Sequence, residues 1–373
     1  MEQMIVPFYS LEQTNAQIHQ EIKDVFERLY LSSHFILGKE LHQFEINFSR
    51  FLDTKYALGV GSGLDALVIA LKSLGIGVND EVIVPAHTFV ATFNAISLVG
   101  AKPVPVDADL KTYNVDYETI EPKINKSTKA IVVVHMYGLS VDMSSINLIA
   151  QKYNLFVIED YAQAHGATFC NRNVGTFGNI NATSFYPTKN LGALGDGGAI
   201  STNDVNLYEK SLLLRNYGSK EKYKNEIIGL NSRLDELQAG FLNVKLQYLK
   251  DWINQKNELV NVYINLLSDL EEIKFSDYNK DMYFHSYHLL VVLVTNRFQL
   301  VEFLKSRGIQ TQIHYPVPPH LQECYKFLGY NKGDFKNAEY ISNNALSLPL
   351  FVGLNVPQIE FVCKTIKEFY TMK

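Results

Sequence analysis

One lysine in this chain stands in a setting that suits imine chemistry. Lys189 follows Pro187 and precedes a loop carrying Gly192, Gly195, Gly197 and Gly198, in the stretch SFYPTKNLGALGDGGAI. A lysine nucleophile needs a neighbour that sets its charge and room for its electrophile. Glycines crowd where backbone turns sharply or approaches a ligand closely. Taken by itself, the stretch also reads as a surface turn with a solvated lysine.

Two further groups carry chemistry. Gly61-Ser62-Gly63-Leu64-Asp65 marks a strand-to-helix turn, and small residues at a helix N-terminus with free amides suit a phosphate. It lacks the lysine of a Walker loop and the full dinucleotide fingerprint, and Ser62 can equally be a plain helix cap. In VIEDYAQAHG, Asp160 closes an apolar strand, at the carboxyl end where open α/β sheets bind ligands. A carboxylate there can pair with a cationic ring nitrogen. At an effective dielectric near 20 and about 4 Å, such a pair is worth ~4 kcal/mol before desolvation. Capping by Asp160 and core packing by His165 are the alternatives. Together the three groups supply an anion cradle, a carboxylate for a ring nitrogen and an amine. Pyridoxal 5'-phosphate (PLP) needs that set for its phosphate, pyridine nitrogen and aldehyde.

The surrounding pattern predicts elements able to bring these groups together. Strands are expected at Tyr56–Val60, Glu81–Pro85, Lys102–Val106, Ala130–His135, Leu155–Glu159, Ala182–Tyr186 and Gly198–Thr202, with helices at 15–31, 88–99, 116–124 and 144–153. Valine- and isoleucine-rich strands alternating with helices predict an α/β fold with a mostly parallel sheet covered on both faces. A long helical pattern from Leu234 to Leu270 reads as a connector. Beyond it a strand at Tyr287–Val294, a helix at 297–307, a strand at Ile309–Ile313 and helices at 336–346 and 357–370 predict a smaller α+β unit. The expected division is a large domain over 1–250 and a small C-terminal one over 251–373.

Composition narrows the function class. The 373 residues carry a net charge of -5, without the basic footprint of a nucleic-acid binder. Cys170, Cys324 and Cys363 are far apart and odd in number, so neither a disulfide framework nor paired zinc spacing is expected, and no metal is assigned. A reduced, cytoplasmic setting fits. No stretch has the pattern of a signal peptide or a membrane span.

The order GSGLDAL, PAHTFVATFNAI, VIEDYAQAHGA, SFYPTKNLGALGDGGAI and GLNSRLDELQAGFL, with IHYPVPPHLQ and LSLPLF further on, resembles the nucleotide-sugar aminotransferases of the DegT family. These are PLP enzymes of fold type I. The resemblance covers nearly the whole chain. It implies that Lys189 carries the cofactor as an imine, that Asp160 pairs with the pyridine nitrogen and that Gln163 bonds the ring hydroxyl. Ser62, Gly63, Leu64 and Ser184 are implied to bind the phosphate, with Phe89 stacked on the ring. Relatives often have threonine at the position of Leu64, which leaves this chain its backbone amide alone. Asn231 resembles a residue that reaches the neighbouring subunit's phosphate, which implies a homodimer.

Substrate is implied by fewer positions. Relatives that aminate C-4 usually have histidine before the proline. This chain has Tyr186, as in the branch acting on dTDP-3-keto-6-deoxyhexoses. In that branch His314 and Tyr315 are expected at the sugar pocket, where a packed pair before a proline turn is the alternative, and Tyr217 is expected to reach toward the neighbouring site. The implied reaction moves an amine from L-glutamate to C-3 of a dTDP-linked keto sugar, leaving 2-oxoglutarate, with the cofactor passing through pyridoxamine 5'-phosphate. A galacto product is favoured over a gluco one, and O-antigen, lipopolysaccharide or S-layer glycans are the expected destinations. Amination at C-4, a UDP-linked 3-keto substrate, and a PLP-binding regulator without catalysis are the competing readings. A PLP-dependent dehydratase is disfavoured, since those relatives have histidine in place of the lysine.

Overall fold

The computed structural model describes residues 4–372. Its centre is a seven-stranded sheet of β1 (Tyr56–Val60), β2 (Glu81–Pro85), β3 (Lys102–Val106), β4 (Thr128–Val134), β5 (Phe156–Asp160), β6 (Ile180–Ser184) and β7 (Gly198–Thr202). The spatial order is β1-β7-β6-β5-β4-β2-β3. Only β7 runs against the others, pairing antiparallel with β1 and β6. The fold is therefore α/β with a mostly parallel sheet, as expected.

Both faces are buried, which explains the near-continuous apolar strands. Alternate residues pack on opposite sides. Val82, Val84, Val132 and Ile158 meet the helices Gly63–Ser73 and Val90–Leu98, while Ile83, Ile131, Val133 and Val157 meet the helix Met143–Tyr153. A second, antiparallel sheet of Ile273–Phe275, Leu290–Val294 and Ala345–Leu348 lies under the helices Arg297–Ser306 and Val356–Thr371. The helix Glu236–Leu267 packs at its start against the helix Lys39–Leu52 and at its end into this second core, through Val260, Tyr263 and Leu267. Residue 250 falls in the middle of that helix.

Several expected elements differ. The helix read over 15–31 is two, Glu12–Gln17 and His19–Ser32, broken at the buried Ile18. The segment 116–124 forms two short 3-10 turns, the second with Pro122 in its first turn, where the ring is tolerated but a longer helix is not. Ile309–Ile313 is not a strand: Ile309 bridges Val6, and Gln312 bridges Ser347. The last expected helix turn near residue 346 is instead the strand Ala345–Leu348. It pairs with Leu290–Leu293 and buries Leu346 and Leu348, a gain no local helical turn could match.

One carboxylate on the long helix caps the start of another helix. Glu236 is almost fully buried and accepts the amides of Gly38, Glu40 and Leu41 at 2.8, 2.9 and 3.1 Å. These are the unpaired donors at the start of the helix Lys39–Leu52, where negative charge is favoured. Glu236→Ala should lower stability by about 3 kcal/mol, since bonds to a charged acceptor are the strong ones and the amides are left unpaired. Glu236→Gln, which keeps one carbonyl acceptor, should lose less. Urea midpoints of the three proteins check the order, and equal midpoints would refute the cap.

Candidate active site

The strands that point the same way end on one edge of the sheet, so their following loops converge. Val60, Gly198 and Ser184 lie in one cross-strand row, and Asp160 pairs with Ala182 and Val134. That edge carries Ser62–Leu64 after β1, Phe89 after β2, Asp160 and Gln163 after β5, and Ser184–Lys189 after β6.

The turn at Ser62–Gly63 is pressed against β6 and β7. A Cβ on Gly63 would sit 2.5 Å from the Cβ of Ser184, and one on Gly198 would sit 2.4 Å from the Ser62 carbonyl oxygen. Only glycine allows this approach. Ser62 is the helix N-cap, accepting the Asp65 amide at 3.1 Å, and its own hydroxyl proton remains available. The amides of Gly63 and Leu64 open the helix without intrahelical acceptors. The Leu64 side chain packs on the core, so this position offers only its amide. The glycine-rich loop after Lys189 serves a different purpose from close approach to a ligand. A Cβ on Gly192 would strike the Pro187 carbonyl at 2.3 Å and one on Gly197 would crowd Leu234 at 2.9 Å, so Gly192 lets the loop fold on itself and Gly197 lets it pack against the segment before the long helix.

Glu159 and Asp160 end β5 on opposite faces. Glu159 is taken by structure: it accepts His135 Nε2 at 2.9 Å and the amides of Gly175, Phe177 and Gly178 at 2.8, 2.5 and 2.8 Å. His135 Nδ1 accepts the Val141 amide, which leaves its proton on Nε2 to donate to Glu159. Asp160 faces the other way. It is buried and accepts Thr92 Oγ1 at 3.0 Å and the Ala162 amide at 3.2 Å. Burial pushes its carboxyl above the usual range, while the two hydrogen bonds and the Lys189 charge pull it back. Lys189 closes a tight turn through its amide to Tyr186 O at 2.8 Å. Burial lowers its amine to about 8, with Asp160 as the opposing influence.

Gln163 joins the turn after β4 to the segment His314–Tyr315. Its Oε1 accepts the Tyr137 amide at 2.8 Å and its Nε2 donates to the Tyr315 hydroxyl at 3.0 Å. The Tyr315 ring lies 5.2 Å from that of Phe89, which starts the helix Val90–Leu98 and is half exposed. His314 Nδ1 bonds Ser347 Oγ at 2.8 Å, and burial lowers its imidazole to about 4, helped by Lys189. Tyr186 is exposed, its amide donating to Ser184 Oγ at 3.2 Å. Tyr217 and Asn231 are also exposed. Their contacts run to Leu230, Asn225, Asn216 and Arg233, none of which belongs to the Lys189–Asp160 group.

The sequence reading missed several neighbours. Thr92 stands one helical turn beyond Thr88, to which it is bonded at 3.1 Å, a threonine pair legible in PAHTFVATF. Lys245 Nζ donates to Gly192 O at 2.7 Å, and Lys256 Nζ donates to Asn190 Oδ1 at 2.6 Å and Tyr287 O at 2.8 Å. These lysines are about three helical turns apart on one face, a spacing hidden in a helix rich in polar residues. His165 is a packed residue, bonded to Thr183 Oγ1 at 2.8 Å and stacked on Phe185.

The residues present fit PLP. A buried carboxyl with its pKa raised, an amine with its pKa lowered, and a helix start held open by Gly63 and Gly198 match the cofactor's cationic nitrogen, aldehyde and phosphate.

Comparison with known proteins agrees. The model of the DegT/DnrJ/EryC1/StrS aminotransferase family matches residues 16–367. A dTDP-3-amino-3,6-dideoxy-alpha-D-galactopyranose transaminase of Aneurinibacillus thermoaerophilus is 46% identical, over 98% of this chain and 99% of its own. A protein of Geobacillus stearothermophilus named a pleiotropic regulatory protein is 42% identical, over 98% and 99%. The solved structure of DesV from S. venezuelae, in complex with a ketimine intermediate, superposes with a TM-score of 0.95 at 40% identity, covering 98% of each chain. The chain belongs to the DegT/DnrJ/EryC1/StrS family of PLP-dependent sugar aminotransferases.

Proposed function

We propose that this protein transfers the amine of L-glutamate to C-3 of a dTDP-linked 3-keto-6-deoxyhexose, giving a dTDP-3-amino-3,6-dideoxyhexose of galacto configuration and 2-oxoglutarate. The observation that carries the catalytic reading is the placement of Lys189 and the buried Asp160 on one sheet edge, near enough that each charge opposes the shift burial imposes on the other. The 46% identity to a dTDP-3-amino-3,6-dideoxygalactose transaminase supports the substrate class and the sugar configuration.

The bound cofactor supplies an aldehyde that exchanges amines and a ring that accepts the electron pair of the broken C–H bond. Lys189 would hold the cofactor's aldehyde end, and its amine would be free once the donor is bound. Its free amine then takes the α-proton of the donor, and in the second half-reaction it delivers a proton to C-3 of the sugar. Asp160, steadied by Thr92 and Ala162, would hold the ring nitrogen cationic. Gln163 would hold the ring hydroxyl, and Phe89, beside Tyr315, would pack against the ring. Ser62, Ser184 and the amides of Gly63 and Leu64 would hold the phosphate, completed by Asn231 of the partner subunit in a homodimer. Tyr186, His314 and Tyr315 bound the sugar pocket, and Tyr217 reaches toward the neighbouring site. The family resemblance supports these roles, and so does the exposure of Asn231 and Tyr217 in the single chain. The name of the Geobacillus relative suggests regulation instead; the lysine and carboxylate retained here favour catalysis.

Lys189→Ala should lower turnover at least about a thousandfold, the scale of a lost proton-transfer group. It should also abolish the visible absorption band that the wild type loses on adding glutamate. Persistent turnover in that variant would sink the mechanism. Incubation with L-glutamate and galacto- or gluco-configured dTDP-3-keto-6-deoxyhexoses, or a UDP-linked 3-keto sugar, should give a C-3 amine from the dTDP-galacto substrate, read by product NMR. An amine at C-4, or preference for the UDP sugar, would overturn the assignment. A pH effect follows from the amine of about 8. Only neutral Lys189 attacks an aldehyde, so reloading of cofactor-free protein with PLP should speed up about tenfold per pH unit below 8 and level off above it. A rate flat from pH 6 to 9 would show that the amine is not held down.

A further inference from the structure

The segment that carries His314 and Tyr315 is poorly equipped to anchor itself. In IHYPVPPHLQ, residues 316, 318 and 319 are prolines, which lack the N–H that strand pairing uses. The bridge to the strand Ala345–Leu348 is made just before them, by Gln312 to Ser347. From there side chains take over. Ser347 Oγ holds the His314 imidazole at 2.8 Å, and the main chain of His314 is held from the large sheet by a buried tyrosine.

That residue, Tyr137, lies in the turn Met136–Gly138 after β4, in the left-handed region at φ 60°. A bulky residue is strained there, and such strain persists where the surroundings have a use for the residue. Main-chain bonds fix the turn. The Tyr137 amide donates to Gln163 Oε1 at 2.8 Å, its carbonyl accepts the Leu289 amide at 3.3 Å, and the Gly138 carbonyl accepts the Ser286 amide at 2.9 Å. The Tyr137 hydroxyl donates to the His314 carbonyl. A carbonyl only accepts, so the single hydroxyl proton goes there, and His87 Nε2, at 2.8 Å, is the donor to the hydroxyl oxygen. Burial agrees with both roles. It lowers His87 to about 4, so the ring is neutral, and raises Tyr137 well above the usual tyrosine range, so the hydroxyl keeps its proton.

These bonds close a ring. Tyr137 N–H holds Gln163 Oε1, Gln163 Nε2 donates to the Tyr315 hydroxyl, and the Tyr137 hydroxyl holds the carbonyl that immediately precedes Tyr315. His87, two residues before Phe89, ties the loop after β2 to the same hydroxyl. We propose that Tyr137 is a positioning residue with two separate duties: its N–H sets Gln163 for the cofactor, and its hydroxyl sets the His314–Tyr315 main chain for the keto sugar. This rests on the reading of His314 and Tyr315 as walls of the sugar pocket. The two duties can be divided, because phenylalanine at 137 keeps the N–H and loses the hydroxyl. Ser347 still holds the His314 imidazole in that case, so the segment is loosened rather than released.

The test uses full-length holoenzyme carrying Tyr137→Phe. Its KM for the dTDP-3-keto-6-deoxyhexose should rise about tenfold, the scale of one lost hydrogen bond whose buried partner stays unpaired, while kcat stays within about twofold. The rate at which L-glutamate bleaches the visible band should also stay within about twofold of wild type, since the donor step needs only the N–H duty. His87→Leu, which removes the donor to the hydroxyl, should show the same split at smaller size. An unchanged KM for the sugar in Tyr137→Phe overturns the proposal. So does bleaching by glutamate that slows as much as sugar turnover, the mark of a general structural loss. If Tyr137→Phe fails to fold, by its far-UV circular dichroism, His87→Leu decides by the same criteria. If wild type does not turn over this sugar, the substrate reading fails by itself, and hydrogen–deuterium exchange of the backbone over 311–320 in the holoenzyme decides on Tyr137. Faster exchange in the variants than in wild type supports the tether, and equal exchange overturns it.

Discussion

The site depends on placing two opposite charges where water cannot solvate either. Asp160 and Lys189 are each pushed by burial toward their neutral forms, and each pulls the other back. Neither influence wins outright. The lysine stays near the neutral-to-charged boundary at ordinary pH, while the carboxyl is held ionisable by Thr92, Ala162 and the nearby amine. This balance requires a rigid surround, because a modest opening toward water would return both groups to their usual ranges. The surround is the buried sheet edge, with its strands covered on both faces.

The two acids at the end of β5 show how strand geometry divides labour. Side chains alternate across a sheet, so neighbouring residues cannot share one environment. Glu159 is directed into a shell of three amides and His135, where all its acceptor capacity is spent on the loop at 175–178. Asp160 is directed toward Thr92 and Lys189 with only two hydrogen bonds, leaving lone pairs for a ligand. A register slip of one residue would exchange them. The parallel pairing of β5 with β4 and β6 prevents it, since Asp160 is matched on one side with Val134 and on the other with Ala182.

What the sequence made legible was local and periodic. The strands Glu81–Pro85, Lys102–Val106 and Gly198–Thr202 stand where the apolar runs placed them, because burial on both faces writes an unbroken apolar signal. The lysine, the aspartate and the Ser62–Leu64 turn were legible because each sits at a strand end beside its own signal of glycine or proline. The misses come from long-range pairing. Ala345 and Leu346 read as the end of a helix until Leu290–Leu293 is beside the strand they begin. Lys245 and Lys256 look like solvated helix residues until the turn at Asn190–Gly192 covers them. The glycines after Lys189 left a sharp turn and a close ligand approach both open, and Gly192 and Gly197 prove to relieve contacts of the chain with itself.

The histidines complete the electrostatics. His87 and His314 are lowered to about 4, and His165 and His285 to about 3, in each case mainly by burial. Burial also lowers His288 well below the usual imidazole range, helped by Lys189 and Lys256. These rings are therefore neutral throughout the range in which Lys189, Lys245 and Lys256 titrate. An imidazolium beside Asp160 would compete with a ring nitrogen for its charge, and one beside Lys189 would drive the amine further down. Keeping them neutral leaves proton traffic around the turn to lysines. That choice suits a nucleophile that must also act as a base, because an imidazole can move a proton but does not form the stable, exchangeable imine that a primary amine forms. The cost is buried positive charge on the long helix, which the two lysines offset only in part by bonding backbone and amide oxygens.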